Sequence, residues 1–136
     1  MGHPNQLIFI LLLPSLSLPM NQPLIYTDKP WGFFEQFALN EQCTVKILHV
    51  KKGGCLSKQY HKNREELWVP LDNGLVMEID GKTINPKKGE YITIAKGATH
   101  RLYSAKGGRV LEICVGFFDE QDIVRLEDKY GRISKM

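Results

Sequence analysis

Four side chains with the chemistry of metal ligands stand in two stretches of the chain. Gln59 and His61 are two residues apart, Glu66 follows five residues later, and His100 stands much further along. Residues two apart on a β-strand share a face, so Gln59 and His61 would point to the same side. Two imidazoles, a carboxylate and an amide oxygen suit Zn, Mn, Fe, Co or Ni. Spacing alone leaves open the alternative that each is an ordinary hydrogen-bonded polar residue.

The segments that carry these residues have the pattern of short strands separated by turns. About nine strands are predicted, at residues 33–37, 45–50, 56–61, 66–71, 75–79, 82–84, 91–94, 100–104 and 110–115. Asp80-Gly81 is a two-residue hairpin signal between two of them. This spacing predicts a closed barrel or a sandwich. Ile123, Leu126 and Tyr130 lie three to four residues apart, which predicts one short helix between residues 119 and 130.

The composition is that of one ordinary globular domain. The chain has 136 residues, of which 43% are hydrophobic and 24% charged, and its formal net charge is +3. Its basic residues form no stripe of the kind that binds nucleic acid, so neither nucleic acid nor a membrane is an expected partner. Cys43, Cys55 and Cys114 form no CxxC pair, so we expect reduced thiols and a cytoplasmic location.

Residues 1–22 differ in character from the rest of the chain. They contain an apolar run, two prolines that follow it and no lysine or arginine. The run is too short to span a bilayer, and a signal peptide needs a positive amino-terminal region. We interpret this segment as a mis-assigned start, with translation beginning at Met20; a weak signal-like segment is the alternative. Residues 23–136 are predicted to form a single domain.

The glycines around the four candidate ligands resemble the frame of the two cupin motifs. The first motif is matched by Gly53, Gln59, His61, Glu66 and Gly74. The second is matched by Gly89, Gly97 and His100, with Ala95 replacing its proline and Ser104 its asparagine. This resemblance implies an all-β cupin fold, a double-stranded β-helix or jelly-roll-like barrel, with the short helix at its carboxyl end.

A narrower resemblance covers residues 29–132. Lys29-Pro30-Trp31-Gly32, residues 97–102 and the long piece at residues 122–132 are similar to the type II mannose-6-phosphate isomerase family, the C-terminal domain of bifunctional mannose-1-phosphate guanylyltransferase/mannose-6-phosphate isomerases. In that superfamily a Gln-x-His pair, a Glu and a later His hold zinc. The resemblance therefore implies a divalent metal, zinc first, held by Gln59, His61, Glu66 and His100.

The resemblance also implies an activity and a substrate. The family interconverts mannose 6-phosphate and fructose 6-phosphate, which feeds GDP-mannose and polysaccharide synthesis, and its barrels often form homodimers. Such an isomerase needs a base and a cation for the phosphate, and the candidates are Glu112, Lys46 and Arg101. Family members often have Arg at Ile47 and Gln at Cys114. These departures keep open the alternative of a non-catalytic cupin that binds a sugar or sugar nucleotide.

Overall fold

The computed structural model describes Leu7–Ile8 and residues 25–134, and it places strands, turns and loops there but no helix. The strands are β1 (Leu7–Ile8), β2 (Ile25–Lys29), β3 (Gly32–Gln36), β4 (Cys43–Val50), β5 (Gly54–Cys55), β6 (Lys58–Tyr60), β7 (Glu65–Pro70), β8 (Val76–Ile79), β9 (Lys82–Ile84), β10 (Ile92–Ile94), β11 (His100–Ser104), β12 (Gly108–Val115) and β13 (Val124–Glu127). The interpretation of residues 1–22 lies outside the described residues, apart from β1.

Two antiparallel sheets form the body of the fold. The four-stranded sheet has the order β10-β7-β12-β4, and the six-stranded sheet has the order β13-β6-β11-β8-β9 with β5 also paired to β11. β1, β2 and β3 make a separate three-stranded sheet. Each of the nine predicted strands has a counterpart, so the predicted all-β, jelly-roll-like barrel is confirmed. In the described residues no helical segment has the length and apolarity that crossing a bilayer requires.

The main hydrophobic core lies between the two large sheets. Its buried members come from strands of both sheets and, for Leu75 and Ala98, from the adjoining loops: Val50, Trp68, Leu75, Met77, Ile79, Ile92, Ile94, Ala98, Leu102 and Val110. They alternate along their strands with residues of the outer faces, as half-buried strands require. Trp68, Met77 and Leu102 are fully buried, and burying one such side chain contributes about 1.5–3 kcal/mol.

The outer face of the four-stranded sheet is covered unevenly. Leu67, Val69 and Ile113 are buried there beneath partly buried neighbours that include Phe37 and Tyr91. β7 and β12 therefore carry apolar residues on both faces, as the central strands of a covered sheet do. The cover does not extend over the whole of β4, which lies at the edge of this sheet.

On β4, strand alternation decides which residues reach the interior. Lys46 and Leu48 are partly buried, whereas Val45 is 56% and Ile47 49% exposed on the outer face. Ile47 therefore does not line the barrel interior, and its departure from the family pattern removes no contact there.

The predicted hairpin at Asp80-Gly81 is confirmed. Ile79 and Lys82 are paired residues of β8 and β9, so the loop contains two residues. Asp80 has φ 47° and Gly81 φ 79°, and positive values at both central positions define the type I′ turn, whose twist matches that of the flanking strands.

The predicted helix between residues 119 and 130 is wrong. Val124–Glu127 instead forms β13, which pairs antiparallel with β6 through Val124 opposite Tyr60 and Arg125 opposite Gln59. Three apolar residues at helical spacing are weak evidence, and the open edge of β6 supplies backbone hydrogen bonds that override local propensity.

The core assignment predicts a difference between an inward-facing and an outward-facing isoleucine of two strands. Ile79 is 1% exposed and Ile47 is 49% exposed. Ile79→Ala should lower the free energy of unfolding by about 2–5 kcal/mol, because it leaves a cavity. Ile47→Ala should cost about 1 kcal/mol or less, because its side chain is already half in water. Urea unfolding followed by tryptophan fluorescence measures both, and equal losses would contradict this assignment of the two faces.

Candidate metal centre

The barrel brings the four predicted ligands to one place. Gln59 and His100 are paired residues of β6 and β11, so their side chains share the inner face of the six-stranded sheet. Glu66 reaches the same point from β7 on the opposite sheet: its Oε1 lies 3.0 Å from His61 Nε2 and its Oε2 lies 3.7 Å from His100 Nε2. His61, Glu66 and His100 are all buried, and each offers a donor atom within 4.8 Å of the others.

Hydrogen bonds of the two imidazoles leave their Nε2 atoms facing this centre. His61 Nδ1 lies 2.6 Å from the carbonyl oxygen of Asp122, and His100 Nδ1 lies 2.9 Å from that of Ala98. A carbonyl oxygen only accepts, so each Nδ1 carries the proton and donates it. His100 Nε2 is buried without a hydrogen-bonding partner among the described residues. A lone pair in that position fits a bound cation, and an outer hydrogen bond of this kind is usual for metal-bound histidine.

The charge states also fit a cation. Burial would raise the pKa of Glu66, but its contacts with His61, His100 and Arg64 outweigh burial and lower that pKa to about 2. Burial lowers the pKa of His100. At neutral pH the centre therefore holds an ionised carboxylate beside a neutral imidazole, which is the form in which both bind metals.

Gln59, the fourth predicted ligand, lies beside His61. Its Nε2 lies 3.5 Å from His61 Nε2, and its Oε1 accepts a 2.5 Å hydrogen bond from the Ser57 hydroxyl. Rotating the amide by half a turn exchanges these two atoms, and it places the oxygen toward the centre while the Ser57 hydroxyl can accept from the amide nitrogen. The four residues together fit a divalent metal; their role as ligands stays a prediction.

A second carboxylate lies beside the first. Trp68 Nε1 donates to Glu66 Oε2 at 3.0 Å and to Glu112 Oε2 at 3.2 Å, so the indole bridges the two acids. Burial, and then the negative charge of Glu66, raise the pKa of Glu112. The Cys114 thiol lies 3.6 Å from Glu112 Oε1 and 3.8 Å from Glu66 Oε1. Cys114 therefore lines the interior, unlike Ile47.

The other two catalytic candidates lie on different faces. Lys46 is paired with Glu112 across β4 and β12, so both side chains share the inner face, and Lys46 Nζ lies 3.5 Å from Glu120 Oε2. Arg101 follows His100 and points to the outer face, where it contacts Glu78 and Glu127. The structure thus separates Arg101 from the centre, and the prediction that it acts there lacks geometric support.

Residues beyond the predicted set hold the centre in place. Arg64 is buried and donates to Glu66 Oε1 at 3.1 Å and to the Asp119 carbonyl oxygen at 2.9 Å. The Asp122 carboxylate accepts from the backbone N–H groups of Lys62 and Asn63. The same alternation that links Gln59 to His61 could have found Trp68, two residues after Glu66. Asp122 gave no local signal, because its partners are about sixty residues away in the chain.

Curated relatives share most of this chain but are much longer. The mannose-1-phosphate guanylyltransferase ManC of Salmonella typhimurium is 36% identical over 110 residues, which are 77% of this chain and 22% of that protein. The alginate biosynthesis protein AlgA of Pseudomonas aeruginosa is 34% identical over 114 residues, 79% of this chain and 23% of AlgA. This chain therefore spans less than a quarter of the length of these relatives.

Solved structures agree with the fold. The nucleoside dehydratase Pac13 of Streptomyces superimposes with a TM-score of 0.55 at 14% identity, covering 82% of this chain and 81% of Pac13. A protein from Planctomyces limnophilus gives a TM-score of 0.53 at 19% identity, covering 86% of this chain and 96% of its own. At these identities the likeness concerns the fold alone.

The family itself is shown by sequence. The model of the family described as mannose-6-phosphate isomerase C-terminal matches residues 22–128, which include all four residues of the candidate metal centre and Glu112. The two cupin motifs found in the sequence contain the four residues of the candidate metal centre. The chain belongs to the mannose-6-phosphate isomerase C-terminal family.

Proposed function

We propose that this chain is a metal-dependent sugar-phosphate isomerase that interconverts mannose 6-phosphate and fructose 6-phosphate in the supply of GDP-mannose for polysaccharide synthesis. The observation that carries the proposal is a second buried carboxylate, that of Glu112, next to the proposed metal ligands. Aldose–ketose isomerisation needs a group that moves a proton between two neighbouring carbons and a centre that stabilises charge on their oxygens. The barrel interior holds a candidate for each need: Glu112 for the proton transfer, and the neighbouring candidate metal centre for stabilising charge.

Gln59, His61, Glu66 and His100 would hold the metal, and zinc is the ion we propose. When bound, it supplies Lewis-acid polarisation of the substrate's carbonyl and hydroxyl oxygens. The imidazoles are fixed by their carbonyl partners, and Glu66 is fixed by Arg64 and Trp68. These contacts orient the donors before an ion arrives, which reduces the ordering that binding requires.

Glu112 is the residue that we propose as the proton carrier. Its carboxylate is buried and is oriented by the Trp68 N–H. An acid held in a water-poor interior can accept a proton from one carbon and return it to the next without losing it to solvent. Lys46 shares its face and favours the ionised form of Glu112 by its positive charge, an effect that opposes burial.

One observation favours a second candidate function. Cys114 lines the interior beside Glu66 and Glu112, at a position where family members often have a glutamine. A thiol lacks the two donors and the carbonyl acceptor of a glutamine amide, so a polar contact to the substrate could be missing here. The alternative is therefore a cupin that retains the barrel and metal and binds a sugar or sugar nucleotide without turnover.

A coupled assay that follows fructose 6-phosphate formed from mannose 6-phosphate distinguishes the two functions. We expect turnover by the metal-loaded wild type and a loss of about 10²- to 10⁴-fold in kcat in Glu112→Gln, the range for general acid–base groups. Glu120→Gln, which alters an exposed acid at the Lys46 contact, is the matched control and should remain active. A metal-loaded wild-type protein without turnover would eliminate the isomerase and leave the binding function.

Metal analysis tests the centre separately from activity. His61→Ala and His100→Ala should each weaken zinc binding by on the order of 100-fold or more, because outer-sphere changes alone cost 10- to 100-fold. His49→Ala, a change at an exposed histidine on β4, should bind zinc as the wild type does. Dissociation constants from competition with a chromophoric chelator give the comparison; full affinity in both ligand variants would refute the assignment.

Asp122 offers a test of the outer hydrogen bonds. Its carbonyl oxygen orients His61, and its carboxylate holds the backbone of residues 62 and 63. Asp122→Ala should weaken zinc binding about 10- to 100-fold while all four ligands remain. Glu127→Ala removes an exposed carboxylate of the same tail, which contacts Arg101 on the outer face, and serves as the control. Unchanged zinc affinity in Asp122→Ala would show that the loop holds its position without this residue.

A further inference from the structure

We propose that Arg125 binds the phosphate of the sugar phosphate, an inference that rests on the function proposed for the barrel interior. A substrate phosphorylated at one end and reacting at the other needs a cation some distance from the metal centre. The sequence offered Lys46 and Arg101 for this role. The register of the six-stranded sheet indicates a different residue, Arg125.

Strand pairing places Arg125 on the inner face. It is the partner of Gln59 across β13 and β6, and Gln59 is in turn the partner of His100 across β6 and β11. Directly paired residues of antiparallel strands project to the same side. Arg125, Gln59 and His100 therefore form one row across the sheet, with His100 and Gln59 at the metal centre and Arg125 two strands from His100.

The spacing of this row suits a hexose phosphate. Neighbouring strands lie about 4.8 Å apart, so two strands separate the backbones of His100 and Arg125 by roughly 10 Å. An arginine side chain is long enough to cover part of that distance. The phosphate on C6 and the reacting carbons C1 and C2 are at opposite ends of the sugar. A substrate lying along the row would place its reacting end at the metal centre and its phosphate toward Arg125.

The hydrogen-bonding state of Arg125 distinguishes it from the other cations of the interior. Arg64 donates to Glu66 and to the Asp119 carbonyl oxygen, and Lys46 contacts Glu120. The Nε of Arg125 is buried without a partner, and its side chain makes no ion pair with any residue that the structure describes. A buried guanidinium donor without an acceptor is costly unless a ligand satisfies it.

The chemistry of the group indicates which ligand it takes. A guanidinium is planar, always charged and presents parallel N–H donors that match two oxygens of a phosphate. The strand register shifts between Arg125 and Glu127, so Glu127 is paired with Lys58 and turns to the outer face, where it contacts Arg101; it does not neutralise Arg125. The ligand class is therefore a phosphomonoester attached to a polyhydroxylated chain.

The experiment compares binding of mannose 6-phosphate and unphosphorylated mannose to the zinc-loaded full chain by isothermal titration calorimetry. Wild type should prefer the phosphorylated sugar. Arg125→Gln should lose about 10- to 100-fold in affinity for mannose 6-phosphate, the effect of one or two charge-assisted hydrogen bonds. Its affinity for mannose, its zinc content and its thermal unfolding should not change. Arg125→Lys should recover part of the loss, because it restores the charge without the planar fork.

Arg109→Gln is the control, because Arg109 pairs with Asp72 on the outer surface. Wild-type affinity for mannose 6-phosphate in Arg125→Gln overturns the proposal, and so does an equal loss for both sugars or a wild type that does not prefer the phosphorylated one. If Arg125→Gln does not fold, full affinity in Arg125→Lys overturns it. A wild type that binds mannose 6-phosphate through Arg125 but does not convert it refutes the isomerase and leaves this assignment intact.

Discussion

Glu66 carries an ionised carboxylate that is almost inaccessible to water, so the groups around it must stabilise its negative charge. His61, Arg64, Trp68 and His100 surround it; Trp68 and His100 come from β7 and β11, and the other two from the loop between β6 and β7. Removing one such partner from a buried charge is strongly destabilising. The closed barrel is what brings these partners together, because it faces β7 toward β6 and β11. A bound cation would add the remaining compensation.

The centre also depends on the part of the chain that follows the barrel strands. The loop at residues 119–122 lies against residues 61–64 through Arg64 and Asp122. Phe118 lies just before this loop. The centroid of its ring is 4.5 Å from Arg64 Cζ and 4.1 Å from Lys46 Nζ. β13 then pairs with β6 beside the proposed ligand Gln59. A short stretch that contains none of the four proposed ligands thus contacts both the edge of the sheet and the ring of His61.

Much of the centre could be predicted from the sequence because its spacing is local. Alternation places Gln59 with His61 and separates Arg101 from His100, and the glycine frame identified the barrel. The carboxyl-terminal strand could not be predicted in this way. Its pairing with β6 depends on a partner more than sixty residues away, whereas the apolar spacing of Ile123 and Leu126 fits a helix equally well. The role of Asp122 and the inner position of Arg125 follow from that pairing, so both were missed.

The hydrogen bond from His61 to the Asp122 carbonyl links two equilibria. If the carboxyl-terminal segment frays, His61 loses the acceptor that orients its ring. Linkage works in both directions: whatever binds in the interior favours the docked segment by the same free energy with which docking favours binding. Amide hydrogen exchange in β13 should therefore slow when the proposed metal site is occupied, although β13 carries none of the four proposed ligands.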